Sequence, residues 1–175
     1  MNLLLIGYRG CGKTTVAKLL AERLSWQWFD ADAEIERLAG VTIREIFSAS
    51  GEAGFRELEA AVVADLCRRV SAVIALGGGA VLRESNRQAM QAGGHVVWLR
   101  AKAEILQARI ESDPLTAQRR PNLTSLGGAA EIHQLLAART PLYESCANLT
   151  LNADAASPAE LATAIEQWFR GEIRS

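Results

Sequence analysis

Cysteine is scarce in this chain: Cys11, Cys67 and Cys146 are all there is. The set is odd, scattered and without a C-x-x-C spacing, which excludes a disulfide framework and a thiolate zinc site and makes a reducing cytoplasm the expected home. Net charge is nearly absent, at −1, so no basic field argues for nucleic acid. No apolar run approaches the roughly 20 residues of a membrane span. No signal peptide is expected, because the first residues run straight into a strand pattern. Lysine is confined to Lys13, Lys18 and Lys102, against 16 arginines. Arginine suits bidentate recognition of carboxylate and phosphate, but an arginine-rich proteome leaves the same imprint. His95 and His133 read as structural or solvent-facing. Trp26, Trp28, Trp98 and Trp168 fall on strand or terminal-helix positions and read as core. At 175 residues the chain is expected to be one domain with a proper core.

What is present begins with Gly7-Tyr8-Arg9-Gly10-Cys11-Gly12-Lys13-Thr14-Thr15. It satisfies G-x-x-x-x-G-K-[ST], the phosphate-binding P-loop. An apolar strand pattern, Leu3-Leu4-Leu5-Ile6, precedes it, and a helical pattern follows, which is the setting the motif needs. Gly7, Gly10 and Gly12 let backbone approach phosphate closely. Loop amides and the helix N-terminus face the anion. Lys13 is expected to reach the β and γ phosphates, and Thr14 to offer its hydroxyl to Mg²⁺. Cys11 sits where a thiol pKa can be lowered, or is simply a small residue that fits.

Strands are expected at Asn2–Ile6, Trp26–Phe29, Ala72–Leu76, His95–Leu99 and Asn148–Leu151. Helical patterns cover 14–24, 31–39, 43–49, 52–69, 86–92, 102–111, 129–138 and 159–170. Thr42, Ser85 and Ser157 (with Pro158) read as helix starts, and Gly40 and Gly93-Gly94 as stops. The alternation predicts a parallel sheet covered on both faces, with ligands at the carboxyl ends of its strands.

The P-loop, Asp30-Ala31-Asp32 and Gly77-Gly78-Gly79 each follow a strand, and so converge on one edge. If extended geometry persists, Asp30 and Asp32 point the same way. One carboxylate can then hold a metal-bound water and the other a substrate hydroxyl. The alternative is that Asp32 caps the next helix and Asp30 is solvated. The glycine run either lets a small ligand lie against bare backbone or makes a tight turn.

Arg56 lies three residues before Glu59, so a local ion pair of small worth is available. Whether Arg56 clamps a carboxylate is not decided by spacing. Residues 112–128 form the longest aperiodic stretch and contain Arg119 and Arg120. They read as a lid over ATP, or as a surface loop. Arg139 either faces a helix C-terminal dipole or reaches the cleft.

These residues, with Phe29-Asp30-Ala31-Asp32, Gly54-Phe55-Arg56-x-x-Glu59, Arg120-Pro121 and Arg139-x-x-Leu142-Tyr143, resemble the ordered motifs of the shikimate kinase family from residue 2 to about 170. The resemblance implies an α/β, three-layer P-loop fold of the nucleoside-monophosphate-kinase type, with a five-stranded parallel sheet in the order 2-3-1-4-5 and a lid. It implies ATP-dependent phosphorylation of the shikimate 3-hydroxyl, a step toward chorismate and the aromatic amino acids, with Mg²⁺ as cofactor. It places Gly10, Cys11, Gly12, Lys13, Thr14, Thr15, Arg109 and Arg120 at the nucleotide, with Arg109 near the adenine. It places Asp32, Arg56, Gly77, Gly78, Gly79 and Arg139 at shikimate. Lys13, Asp32 and Arg120 become the catalytic set, and Thr14 and Asp30 the metal site, Asp30 through water. A monomer is expected, with ATP and shikimate as partners and neither nucleic acid nor membrane.

Two departures stand out. Leu76 replaces a threonine common in the family before the glycines, and the lid has its own sequence outside Arg120-Pro121. The rival enzymes are other small-molecule P-loop kinases, for gluconate or nucleotides; Arg56 with Arg139 favours a carboxylate-bearing acceptor instead. A GTP-dependent regulator would want an N-K-x-D-like element, and no Asn-Lys pair occurs. Lys13, Thr14 and Asp32 speak against a catalytically dead binding module.

Overall fold

The computed structural model of the protein describes residues 1–112 and 128–172. In chain order the elements are β1 (Asn2–Ile6), α1 (Lys13–Leu24), β2 (Gln27–Asp30), α2 (Ala31–Ala39), α3 (Ile43–Cys67), β3 (Ala72–Ala75), α4 (Glu84–Gly93), β4 (Gly94–Arg100), α5 (Ala103–Ser112), α6 (Gly128–Cys146), β5 (Leu149–Asn152) and α7 (Pro158–Glu172). The five strands form one sheet in the order β2-β3-β1-β4-β5. Every neighbouring pair is parallel, with Leu4 of β1 opposite Ile74 of β3 and Val96 of β4.

The central position of β1 explains its unbroken apolar run. Alternate side chains leave opposite faces of a strand, and a strand covered on both faces needs both sets apolar. Leu3 and Leu5 enter a core with Val16 and Leu20 of α1 and Ile165 and Phe169 of α7. Leu4 and Ile6 enter the opposite core with Val63 and Leu66 of α3 and Met90 of α4. At the strands' amino ends, the buried Asn2 amide donates to the carbonyls of Arg69 (2.6 Å) and Gly93 (3.1 Å) and accepts from the Ala72 amide (3.1 Å). These bonds tie the strands' amino ends together, while the phosphate-loop motif stands at the carboxyl ends.

Several local expectations hold. Thr42 makes a capping box with Glu45, and Ser157 and Glu160 exchange the equivalent bonds before α7. Gly40 ends α2 in the left-handed region at φ 70°. The two helical patterns at 43–49 and 52–69 form one element broken at Gly51, whose φ is 64°.

Others need correction. Ser85 does not start α4, which begins at Glu84 after an Arg83 with no side-chain cap. Asn86 instead turns inward, its buried amide donating to the Ala80 carbonyl at 3.0 Å. The helix expected to stop at 138 continues through Pro141 to Cys146; burial of Tyr143 and Cys146 against the sheet outweighs the lost N–H. Trp28 is 40 % exposed on the edge strand β2 rather than core, and its ring lies under the Lys18 ammonium. Among the described residues, no helix is long and apolar enough to cross a membrane.

Candidate active site

β1 delivers the phosphate loop at the carboxyl edge of the sheet. Gly7 leaves the strand at φ 137°, where a Cβ would lie 2.5 Å from the Leu99 carbonyl oxygen, so only glycine fits. Gly12, at φ 94°, turns the chain into α1. The loop opens on a cleft of roughly 340 Å³ lined by Arg9, Gly10, Gly12, Lys13, Thr14, Thr15, Asp30, Asp32, Gly77, Gly78 and Arg109 among others. The three strand-end segments thus do meet on one site.

Within the cleft, the Lys13 ammonium donates to the carbonyls of Gly7 (2.8 Å) and Tyr8 (2.9 Å) and lies 3.6 Å from Cys11 Sγ. Cys11 is buried beneath the loop rather than facing the cleft. Thr14 Oγ1 donates to Asp30 Oδ2 at 2.7 Å, and Asp30 Oδ1 accepts from the backbone amides of Asp32 (3.0 Å) and Ala33 (3.4 Å). The capping residue is therefore Asp30, not Asp32, and Asp30 is not simply solvated. The extended geometry supposed for this pair does not persist, because α2 starts at Ala31. Both carboxylates nonetheless line the cleft, and capping by Asp30 leaves Asp32 with no helix-capping duty.

The glycine run forms the back wall. Gly77 and Gly78 line the cleft and Gly79 does not. Gly78 packs on the phosphate loop, where a Cβ would come 3.3 Å from the Gly7 carbonyl oxygen. Gly79 makes room for Arg56, whose Nη1 would be 2.5 Å from an added Cβ.

Arg56 makes the local ion pair its spacing suggests, but the pair is largely buried rather than on the surface. Its Nη1 binds Glu59 at 2.6 Å, and Glu59 is 1 % exposed; its Nη2 binds Glu52 at 3.1 Å. Burial opposes the charged guanidinium, but the two glutamates more than offset this and hold its pKa above the ordinary arginine value.

Arg139 does not lie at a helix end, since α6 runs on to Cys146. It is buried, donates from Nη1 to the Gly78 carbonyl at 3.3 Å and lies over the Tyr8 ring at 5.7 Å. The Tyr143 hydroxyl donates to the same carbonyl. Burial, only partly opposed by Arg139, pushes the Tyr143 phenol far above its usual value and keeps it a donor. Among the described residues, no carboxylate pairs with Arg139.

Arg109 reaches across from α5 and donates to the carbonyls of Ala153 (2.8 Å) and Asp154 (3.2 Å) while lining the cleft. Arg119, Arg120 and the proposed lid between Ser112 and Gly128 lie outside the described residues. Sequence reasoning missed Arg9, which fills an unspecified position of the loop motif and whose Nη2 lies 3.6 Å from the buried Glu131. Nothing in the sequence linked residues so far apart.

A glycine phosphate loop on the central strand of a parallel sheet, an acid pair at the next strand end and arginines behind a bare backbone wall define a P-loop phosphotransferase. A family model described as shikimate kinase matches residues 9–170. The shikimate kinase of Rhodopirellula baltica is 44 % identical over 164 residues, which is 94 % of this chain and 88 % of that protein. That of Pseudomonas syringae pv. tomato is 43 % identical over 157 residues, or 90 % and 89 % of the two chains. Among solved structures, shikimate kinase from Acinetobacter baumannii in complex with shikimate superposes with a TM-score of 0.91 at 37 % identity, covering 98 % of this chain and 93 % of that one. Shikimate kinase from Aquifex aeolicus gives 0.84 at 31 %, covering 99 % and 98 %. The chain belongs to the shikimate kinase family.

Proposed function

We infer that this protein transfers the γ-phosphoryl group of ATP to the 3-hydroxyl of shikimate, giving shikimate 3-phosphate on the route to chorismate and the aromatic amino acids. The observation that carries the reading is the buried Arg139, without a carboxylate partner among the described residues, donating to the Gly78 carbonyl of the cleft's back wall. A buried cation calls for an anion, and a carboxylate-bearing acceptor supplies one. Membership of the family supports the same substrate.

Phosphoryl transfer needs positioning and charge neutralisation more than covalent chemistry. Gly10, Cys11, Gly12, Thr14 and Thr15 present loop backbone to the nucleotide phosphates. Lys13 leaves its two carbonyls to neutralise the β and γ phosphates. Asp32 accepts a hydrogen bond from the attacking hydroxyl and orients it, taking its proton as the new oxygen–phosphorus bond forms and the bond from the γ-phosphorus to the β–γ bridging oxygen breaks, releasing ADP. Arg56 and Arg139 hold the carboxylate, with Gly77, Gly78 and Gly79 shaping the wall beside them. Arg109 borders the adenine, and Arg120 comes onto the phosphates. Thr14 and Asp30 would hold Mg²⁺, Asp30 through water. Their hard oxygens, 2.7 Å apart, suit an ion that takes one or two protein ligands and keeps several waters. Bound with the nucleotide, the metal neutralises phosphate charge. The protein acts as a monomer in the cytoplasm.

The test is coupled ADP release with Mg·ATP, comparing shikimate with quinate, gluconate and a nucleoside monophosphate. Selective turnover of shikimate is expected. Preference for gluconate or a nucleotide would overturn the acceptor assignment and leave the phosphate-loop reading intact.

A further inference from the structure

We propose that Arg9, although it belongs to the phosphate loop, is a positioning residue for the acceptor: it fixes Arg139 by bridging the loop to α6. This rests on the reading that Arg139 takes the acceptor's carboxylate. Three observations carry it. The Arg9 side chain turns toward α6, where its Nη2 lies 3.6 Å from Glu131 Oε1, and Glu131 is 1 % exposed in that helix's first turn. Glu131 and Arg139 are eight residues apart, so both fall on the buried stripe of α6. The guanidinium carbons of Arg9 and Arg139 lie 5.9 and 5.7 Å from the centroid of the Tyr8 ring. One aromatic ring, itself 2 % exposed, thus has two cations within 6 Å of its centroid, one from the loop and one from the helix.

The arrangement has a charge logic. Two guanidinium groups on one buried ring repel, and burial adds to the cost. Glu131 offsets the charge of Arg9 and holds it against the ring. Arg139 keeps its place beside the same ring, bound to the Gly78 carbonyl, with its charge available to a ligand. The Nε groups of Arg9 and Arg139 and the Tyr8 hydroxyl are buried and make no hydrogen bond of ordinary geometry among the described residues. Buried donors without acceptors are held at a cost, which suits a site that an oxygen-bearing anion completes. Without Arg9, the Tyr8 ring loses one of its two cation contacts and Arg139 its fixed orientation. A 1 Å misplacement of a clamp residue is enough to weaken recognition.

The experiment measures steady-state kinetics and calorimetric shikimate binding for Arg9→Met, Arg9→Lys, Glu131→Gln, the Arg9→Met/Glu131→Gln pair and Arg139→Met, with melting curves to confirm folding. Arg9→Met should raise the shikimate KM and Kd about tenfold while the ATP KM stays within about twofold, a loss confined to one substrate. Arg9→Lys, which keeps the charge facing Glu131, should recover most of that loss. The double variant should be no worse than about the larger single effect, because the two residues act as a unit. A rise in the ATP KM equal to that for shikimate would overturn the proposal, placing Arg9 on the nucleotide. So would an unchanged shikimate KM in Arg9→Met beside a large rise in Arg139→Met, which would leave the clamp reading standing. An unchanged shikimate KM in Arg139→Met would defeat the clamp reading itself, and the proposal with it.

Discussion

Lys13 and Gly79 show how single residues divide the labour of the cleft. The Lys13 ammonium is held by two loop carbonyls, so it is already near the place where phosphate charge must be neutralised. Lys13→Ala removes that charge, and kcat should fall by at least about 10²-fold, the usual effect of deleting one electrostatic stabiliser. Retention of near-normal turnover in the ADP-release assay would defeat the role. Gly79 works at one remove. It does not itself line the cleft, but an added Cβ would meet the Arg56 guanidinium at 2.5–2.9 Å. The guanidinium is the far end of a flexible chain, so Gly79→Ala should fold and shift Arg56 rather than disrupt the core. The expected result is a shikimate KM raised several-fold, roughly 1 kcal/mol of binding, with the ATP KM unchanged. Equal loss for both substrates would show that the wall as a whole had moved.

Several helix and strand ends were legible because their signals are local, though Ser85 misled as a helix start. The capping boxes at Thr42 and Ser157, the stop at Gly40 and the run Leu3–Ile6 each depend on residues within a few positions. What failed needed tertiary knowledge. Pro141 signals a stop, yet α6 continues because Tyr143 and Cys146 gain burial beyond it. Asp30 and Asp32 look interchangeable in sequence; only the start of α2 at Ala31 shows that Asp30 caps the helix. Arg56 and Glu59 look like a surface pair until Glu59 is found buried, and Arg9 meets Glu131 only across the fold. The caps also carry a pH dependence. The Thr42 hydroxyl and backbone amide hold the Glu45 pKa below its ordinary 4.5, and Ser157 does the same for Glu160. A lowered folded-state pKa adds stability above the unfolded value and loses it as pH falls through the folded one. Thermal unfolding followed from pH 7 to 3 should therefore show Tm falling below about pH 4.5, with a shallower fall in Glu45→Gln. Identical acid limbs would count against the caps as a source. At neutral pH, Thr42→Ala should lower Tm by roughly 2–4 °C.

For the molecule as a whole, the sheet separates two jobs. Its amino edge is tied by Asn2, whose amide joins β1 to Arg69, to the start of β3 at Ala72 and to the end of α4 at Gly93. Its carboxyl edge leaves the groups of the cleft with demands that ligands meet: among the described residues, Lys13 is held by carbonyls and a thiol, and Arg139 has no carboxylate partner. Ligands that satisfy those groups bind the folded state alone and must stabilise it by mass action. At a ligand concentration about 100 times Kd the gain is about 2.7 kcal/mol, which for a chain of this size raises Tm by roughly 5–10 °C. Thermal shift should show this for Mg·ADP and, separately, for shikimate. The variants then sort the two halves of the cleft. Lys13→Ala should abolish the shift given by Mg·ADP and leave that given by shikimate, while Arg139→Met should do the reverse. If each variant instead lost both shifts together, nucleotide and acceptor would not occupy separable halves, and the division between the phosphate loop and the arginine-backed glycine wall would be wrong.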